Sequence, residues 1–283
     1  MSLGILTNVS ATYAENSLNQ TQNSLQTVLQ QLSSGSRINS GSDDAAGLSI
    51  SDGLSANEAA LTQSAQNAQN GVGLLQTADG ALSQVTNLLD RAVTLATEAS
   101  NGGLTAAQSG AADTEYQSIL TEIGNIGTST NFNSTGVFTA TATDFTVSDG
   151  TTAGTTTIAA TVGALSAASV GTATGGGAGQ SLTGTVLTSQ ASATTALSEI
   201  TTAIADVSNQ RGAIGANVNQ LNAASNVASA EEVNLSSAQS SIVSTNYGQA
   251  TSDLAKYQVL DQTGISALAQ ANSTQQEILK LLQ

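Results

Sequence analysis

Residues 61–96 read LTQSAQNAQNGVGLLQTADGALSQVTNLLDRAVTLA. Moving alternately four and three residues from Leu61 gives Ala65, Ala68, Val72, Leu75, Asp79, Leu82, Thr86, Leu89, Val93 and Ala96, and nine of these eleven positions are apolar. The same walk from Ile200 passes Ile204, Val207, Arg211, Ile214, Val218, Leu221, Ser225, Ala228, Glu232, Leu235, Gln239 and Ile242, with nine of thirteen apolar. A sustained 3.5-residue spacing is the pattern of a coiled-coil seam. It predicts helices over 56–99 and 194–244, about 66 and 76 Å long at roughly 1.5 Å per residue. Two such helices in one chain suggest an antiparallel pair. The seam would run through Leu61, Val72, Leu75, Leu82 and Leu89 on one helix, and through Ile200, Ile204, Val207, Ile214, Val218, Leu221, Leu235 and Ile242 on the other.

The exceptions on these walks carry information. Arg211, Ser225, Glu232 and Gln239 interrupt the second repeat, and Gly71, Gly73 and Gly80 loosen the first. Polar seam residues set register at some cost in stability. The other reading is that the seam tolerates small shifts between helices.

Working outward, a third apolar stripe at Tyr116, Ile119, Leu120, Ile123 and Ile126 predicts a helix over 105–127, with Asn101-Gly102-Gly103 as the break before it. From 128 to 190 the chain is Thr, Gly, Ala and Ser, with Asp144 and Asp149 as the only charges. Runs around Val137-Phe138 and 144–148 read as short strands, Asp149-Gly150 as a hairpin turn and 155–162 as the return strand. The ends form weaker helices. Leu18, Leu25, Val28 and Leu32 mark one seam, and Leu254, Tyr257, Ile265, Leu268, Ile278 and Leu282 the other. These arms are polar enough to need packing before they hold a helix, so they order against each other or against neighbouring copies. The fold class is mainly α: long antiparallel coiled-coil helices from the two arms, and a small β-hairpin region in a central insert. The divisions are 1–40 with 245–283, 41–127 with 191–244, and 128–190.

Composition narrows the chemistry. The chain has 283 residues, 5 Lys plus Arg against 20 Asp plus Glu, and a formal charge of −15. So few cations make a poor partner for nucleic acid or anionic lipid. Charged residues are 9%, against about 25% in ordinary domains. Without His or Cys, zinc sites, thiol nucleophiles and Ser-His-Asp triads cannot be built. Without Pro, long helices run uninterrupted. No secretory signal peptide and no run of about 20 apolar residues is present, so no membrane insertion is expected.

The remaining candidates are weak. Asp43-Asp44 is the only tandem aspartate, and Ser42 is expected to cap a short helix whose positive end the two acids complement. Glu231-Glu232 reads as a solvated face plus one seam defect. No glycine cluster cradles a phosphate: a P-loop needs a Lys, and the nearest downstream one is Lys256. No catalytic, cofactor or metal residue is expected, and no cofactor.

Several ordered blocks carry a family resemblance. Residues 32–40 (LSSGSRINS), 43–47 (DDAAG), 61–71 and 77–82 (TADGAL) resemble the N-terminal signature of bacterial flagellins. Residues 211–216 (RGAIGA), 265–272 (ISALAQAN) and 278–282 (ILKLL) are similar to their tail. The likeness covers roughly 1–140 and 190–283. It implies a filament subunit whose terminal helices form an inner tube around a channel. The long helices would form a surrounding layer, the segment 35–55 a spoke between the two, and the insert would face outward. It further implies export through the flagellar type III apparatus to an extracellular filament. Implied partners are copies of itself, an export chaperone, and hook-associated junction and cap proteins. A host Toll-like receptor would contact Arg91, Leu95 and Glu115, although Ile119 stands where the family often has a basic residue. The Ser/Thr-rich insert could carry O-linked glycans.

Rival readings are set by other features. Hook–filament junction proteins share similar ends but tend to carry a proline after the aspartate pair, where this chain has Ala45. A displayed enzyme would have only two carboxylates, and no His or Lys, in 128–190. A coiled-coil adhesin would need a secretion signal.

Overall fold

The computed structural model describes residues 8–151, 153–173 and 177–281, with the backbone alone at 173 and 278–281. The side chain of Ile278 and all of Leu282, both assigned above to the terminal seam, lie outside the described residues. The chain forms two compact units, residues 57–233 and residues 1–56 with 234–283. In order the elements are α1 (Val9–Ser34), α2 (Ala45–Ala99), α3 (Ala106–Ser129), β1 (Asn131–Phe132), β2 (Thr135–Gly136), β3 (Thr143–Val147), β4 (Thr156–Ala160), β5 (Val170–Ala173), β6 (Gly177–Gln180), α4 (Gln190–Val243) and α5 (Tyr247–Leu281). The fold is mainly α with small antiparallel strand pairs. The two long helices have 55 and 54 residues, about 80 Å each at roughly 1.5 Å per residue.

The unit of residues 57–233 is built on the apolar stripes. Leu75, Leu82, Val85 and Leu89 of α2 are fully buried with Tyr116 and Ile123 of α3 and Ile200, Ile214 and Leu221 of α4. Leu61 and Val207 are also buried, while Val72, Ile204 and Val218 are half-buried at the margin. Two interruptions of the repeats meet each other: Arg211 Nε donates to Asp79 Oδ1 at 2.8 Å and its second nitrogen to Oδ2 at 3.3 Å. The Asp79 carboxylate raises the Arg211 pKa further. A Cβ on Gly71 would lie 2.9 Å from Leu221. These two pairings run in opposite directions along α2 and α4, so the helices are antiparallel here, and the polar pair marks the register.

The glycines of α2 do more than loosen it. Gly71 lies under the ring of Phe145 and Gly73 under that of Phe132. A bare backbone lets two strand aromatics rest on the helix, at about 1 kcal/mol of propensity per glycine.

The insert differs from expectation in three places. The first hairpin is β1–β2, turning at Asn133 and Ser134 with φ of 49° and 64°. Val137-Phe138 is therefore not a strand: the Val137 N–H donates to Thr130 O and its side chain is buried. The strands at 143–147 and 156–160 pair as read, with Phe145 opposite Ile158. Asp149-Gly150 does not make a tight turn between them, because the connection runs from 148 to 155. Instead Asp149 Oδ1 accepts from the Thr151 N–H and hydroxyl, both at 2.8 Å. The third hairpin, β5–β6, was not legible. Gly171 lies in the left-handed region, φ 76°, where its missing Cβ lets β5 rest on the α4 backbone at Asp206 and Val207.

Two-stranded ribbons are marginal alone, and each of these is anchored. Ile158, Val162, Leu165, Val170, Leu182 and Leu187 join the helical core. Asp113 Oδ1 accepts the Leu187 N–H at 2.7 Å, and Gln117 Nε2 donates to Thr185 O at 2.8 Å. Ser64 Oγ donates to Ser148 O and accepts from Ser148 N, both at 2.8 Å.

Two glycines of α3 separate packing from propensity. A Cβ on Gly127 would collide with the Leu165 carbonyl, whereas one on Gly124 would meet nothing within 4 Å. Gly127→Ala should lower stability by about 1–3 kcal/mol through overpacking, and Gly124→Ala should raise it by about 0.5–1 kcal/mol. Thermal unfolding followed by circular dichroism checks the opposite signs.

Candidate functional site: the paired terminal helices

In the unit formed by residues 1–56 and 234–283, the buried apolar side chains among the described residues are Val28, Ile38 and Ala250. Helices α1 and α5 lie antiparallel: Asn8 Nδ2 donates to Ala271 O at 3.1 Å, and Gln22 Nε2 to Asp261 Oδ1 at 3.2 Å. Between those bonds, a Cβ on Gly264 would lie 3.1 Å from Leu18. Val28 and Ala250 are buried, but Leu18, Leu25, Leu32, Leu254, Tyr257 and Leu268 are only half-buried. Ile265 is 47% exposed. The position facing α1 is Gly264 instead, so within the chain the seam sits one residue earlier than read. Tyr13, Leu29, Val259 and Leu260 are likewise open to solvent.

The far end of this pair is held by a clasp. Gly35 ends α1 with φ 72°, returning its N–H to Gln31 O at 2.9 Å, and the Tyr247 hydroxyl sits where a Cβ would project. Thr245 N donates to Gly35 O at 3.0 Å, and Ser36 bridges Ser244. Arg37 donates its N–H to Val243 O at 2.6 Å and its guanidinium to Ile242 O at 2.8 Å. Helix α4 has no basic residue in its last turn, so Arg37 supplies the positive charge that a helix C-terminus favours. Nothing in the spacing of 32–40 signalled that role.

The aspartate pair divides its work. Asp43 Oδ2 accepts from the N–H groups of Asn39 and Ser40, each at 2.9 Å, and from the Ser40 hydroxyl. Asp44 Oδ1 accepts the Gly47 N–H at 2.9 Å, and its carbonyl accepts Leu48 N. Asp44, not Ser42, is thus the cap, and the helix it opens is the long α2 rather than a short one. Ile38 is buried beside Gly47, where a Cβ would lie 2.7 Å from its terminal methyl. Further along, Gln239 donates to Ser51 and Ser55 at 3.4 and 2.5 Å, a polar layer at one interruption of the α4 repeat. Leu235 and Ile242 are half-buried in this unit.

The residues implied as receptor contacts lie in the other unit. Arg91 grips Glu115 bidentately at 2.7 and 3.0 Å, with both side chains about half exposed. That hydrogen bond holds the Glu115 carboxyl below its usual pKa. Leu95 is 3% exposed, inside the core, so it cannot touch a partner without repacking. A groove of about 650 Å³ lies between the insert and α4, lined by Gly163, Gly171, Ala178, Asn209, Gln210 and Asn217 among others. Its described lining holds no ionisable side chain. Among the described residues no group of three or more His, Cys, Asp or Glu is placed to hold a metal. Among the described residues no helix is long and apolar enough to cross a membrane.

A chain whose two ends pair as under-packed amphipathic helices, locked by backbone bonds, is a structural coiled-coil subunit. Residues 5–143 match the family described as "Bacterial flagellin N-terminal helical region", and residues 197–282 match "Bacterial flagellin C-terminal helical region". The chain belongs to the bacterial flagellin family. It is 30% identical over 279 residues to the flagellar filament 30.7 kDa core protein of Treponema maltophilum, covering 97% of this chain and 98% of that one. It is 31% identical over 276 residues to a flagellin of Halalkalibacterium halodurans, covering 97% and 98%. A flagellin of Listeria innocua is 29% identical over 284 residues, covering 98% of each. The crystal structure of Bacillus cereus flagellin overlays 57% of this chain and 88% of its own at 30% identity, with a TM-score of 0.46.

The turn before α2 responds to acid. The Asn39 N–H, followed by the Ser40 hydroxyl and N–H, holds the Asp43 carboxyl below its usual pKa. A lowered folded-state value contributes stability above the unfolded value, about 3.9, and loses it as pH falls through the folded value. Asp43→Asn should therefore be less stable than the parent near neutrality and converge with it in strong acid. Unfolding midpoints measured across pH check the convergence.

Proposed function

We propose that the chain is a structural subunit that polymerises into the flagellar filament for swimming motility, with assembly driven by its terminal helices. The observation that carries this is the α1–α5 pair, in which, among the described residues, Val28 and Ala250 are the buried apolar side chains and Leu29, Val259, Leu260 and Ile265 face solvent. Most helical stability comes from packing, and this pair leaves much of its apolar surface for neighbouring copies. A contact between unlike faces of successive copies is open-ended and generates a helix rather than a closed ring.

In this reading 1–40 and 245–283 form the inner tube, 41–127 and 191–244 the layer around it, and 128–190 the outer surface. The filament is extracellular, and the chain leaves the cell by the flagellar type III apparatus with a chaperone. Hook-associated junction and cap proteins bound the polymer at its ends. No catalytic step is needed. The exposed Arg91–Glu115 pair is what remains available of the receptor contact.

Negative-stain electron microscopy under precipitant should show long tubes from the full chain and none from a chain lacking 1–40 and 245–283. Full-length protein that stays monomeric with seeds present would favour a junction protein. In a Toll-like receptor reporter assay, Arg91→Ala should respond more weakly than the parent, and an equal response removes that partner.

A further inference from the structure

We propose that Asn101–Gly102, in the loop joining α2 to α3, is a self-modifying site at which the subunit gains a carboxylate by spontaneous deamidation. The co-reactant is water, and no enzyme is needed. The chain carries two Asn-Gly dipeptides, at 70–71 and 101–102, and the fold treats them oppositely.

Asn70–Gly71 lies inside α2, with Gly71 buried beneath Leu221 and Phe145. Its N–H belongs to the helical ladder, and regular helix geometry keeps the backbone nitrogen away from the preceding side-chain carbonyl. Asn101, Gly102 and Gly103 are all exposed and lie outside any helix. The Asn101 N–H donates to Glu98 O at 3.1 Å, and its Oδ1 accepts from the Gly103 N–H at 3.4 Å. That second bond turns the side-chain carbonyl forward along the chain, across the Gly102 residue that separates the two partners. The Gly102 N–H itself donates to no acceptor among the described residues, and glycine has no Cβ to obstruct the approach.

The chemistry balances as follows. The Gly102 nitrogen loses its proton to solvent base and attacks Asn101 Cγ. A C–N bond forms, the bond from Cγ to the side-chain nitrogen breaks, and ammonia leaves with a proton from water. The product is a five-membered succinimide. Water then opens it at Cγ, restoring a normal backbone with aspartate, or at the main-chain carbonyl, giving isoaspartate with the backbone routed through the side chain. The net change is uptake of one water and release of one ammonia.

The new charge falls among helix ends of opposite sign. It lies just past the C-terminal end of α2, where the helix dipole disfavours an anion, close after Glu98. Gly102 also lies against Gln190, the first residue of α4: a Cβ there would be 3.4 Å from Gln190 Oε1. Within the unit of residues 57–233 the modification therefore adds an anion that Glu98 and the end of α2 repel and that the N-terminal ends of α3 and α4 attract. It rests on the loop geometry alone and holds whether or not the chain polymerises.

The test is mass mapping of the folded full-length protein aged in mildly alkaline buffer, digested after glutamate. Residues 99–115 form a peptide with Asn101 as its single asparagine, and residues 59–98 carry Asn70. The 99–115 peptide should gain the mass of OH for NH2 and split into two isomers, the signature of succinimide opening. It should convert at least about tenfold faster than the Asn70 site, in keeping with the cost of opening a helical segment. In urea the two sites should convert at similar rates, and Asn101→Gln should abolish the change in its peptide while the circular dichroism spectrum stays the same. An unchanged 99–115 peptide in aged folded protein would overturn the proposal, as would equal rates at both sites before unfolding.

Discussion

A helix of about 80 Å made largely of Ala, Ser, Thr, Gln and Asn stays ordered only where its narrow apolar stripe is covered. Everything else in the structure serves that constraint. In residues 57–233 the cover is generous: α2, α3 and α4 bury their stripes in one cluster, joined by Ile158 and Val170 of the insert's strands and by Leu182 and Leu187 of the segment leading into α4. At the chain ends it is thin, because α1 and α5 have only each other. The same sequence style thus yields one unit that is complete in itself and another that is not.

Register has to be set by something other than the stripe, since alternating steps of three and four look alike along a seam. Here the polar exceptions do it. Asp79 meets Arg211 within one unit, and Gln239 meets Ser51 and Ser55 within the other. The Asp79–Arg211 pair is about 40% exposed on both sides, so its direct contribution to stability is small. Its value lies in the mismatch that any slipped pairing would create.

The helices and their buried faces could be read from the sequence because a 3.5-residue spacing survives in Leu, Ile, Val and Ala with no proline to interrupt it. The strands at 143–147 and 156–160 were legible from alternation. The β5–β6 ribbon was not, because Gly, Ala and Thr leave no alternating apolar signal, and it exists through glycines that let backbone lie on backbone. The N-cap was misassigned for a local reason: Ser42, Asp43 and Asp44 all have capping side chains, and spacing alone does not say that Asp43 turns back to Asn39 and Ser40 while Asp44 takes the Gly47 N–H. Arg37 could not be placed at all, since its partners are carbonyls on a helix end far away in sequence. Ile265 looked like a seam residue by spacing, but Gly264 takes the close approach to Leu18.

The bond from Arg37 to Ile242 spans 205 residues. Closing so long a loop is slow compared with forming hairpins or neighbouring helices. By that measure the clasp is a late contact to form compared with the hairpins. A growing chain completes the core of residues 57–233 only with Ile214 and Leu221 of α4, shortly before α5 begins at Tyr247. Until α5 has been made, helix α1 lacks the partner that it has in this structure.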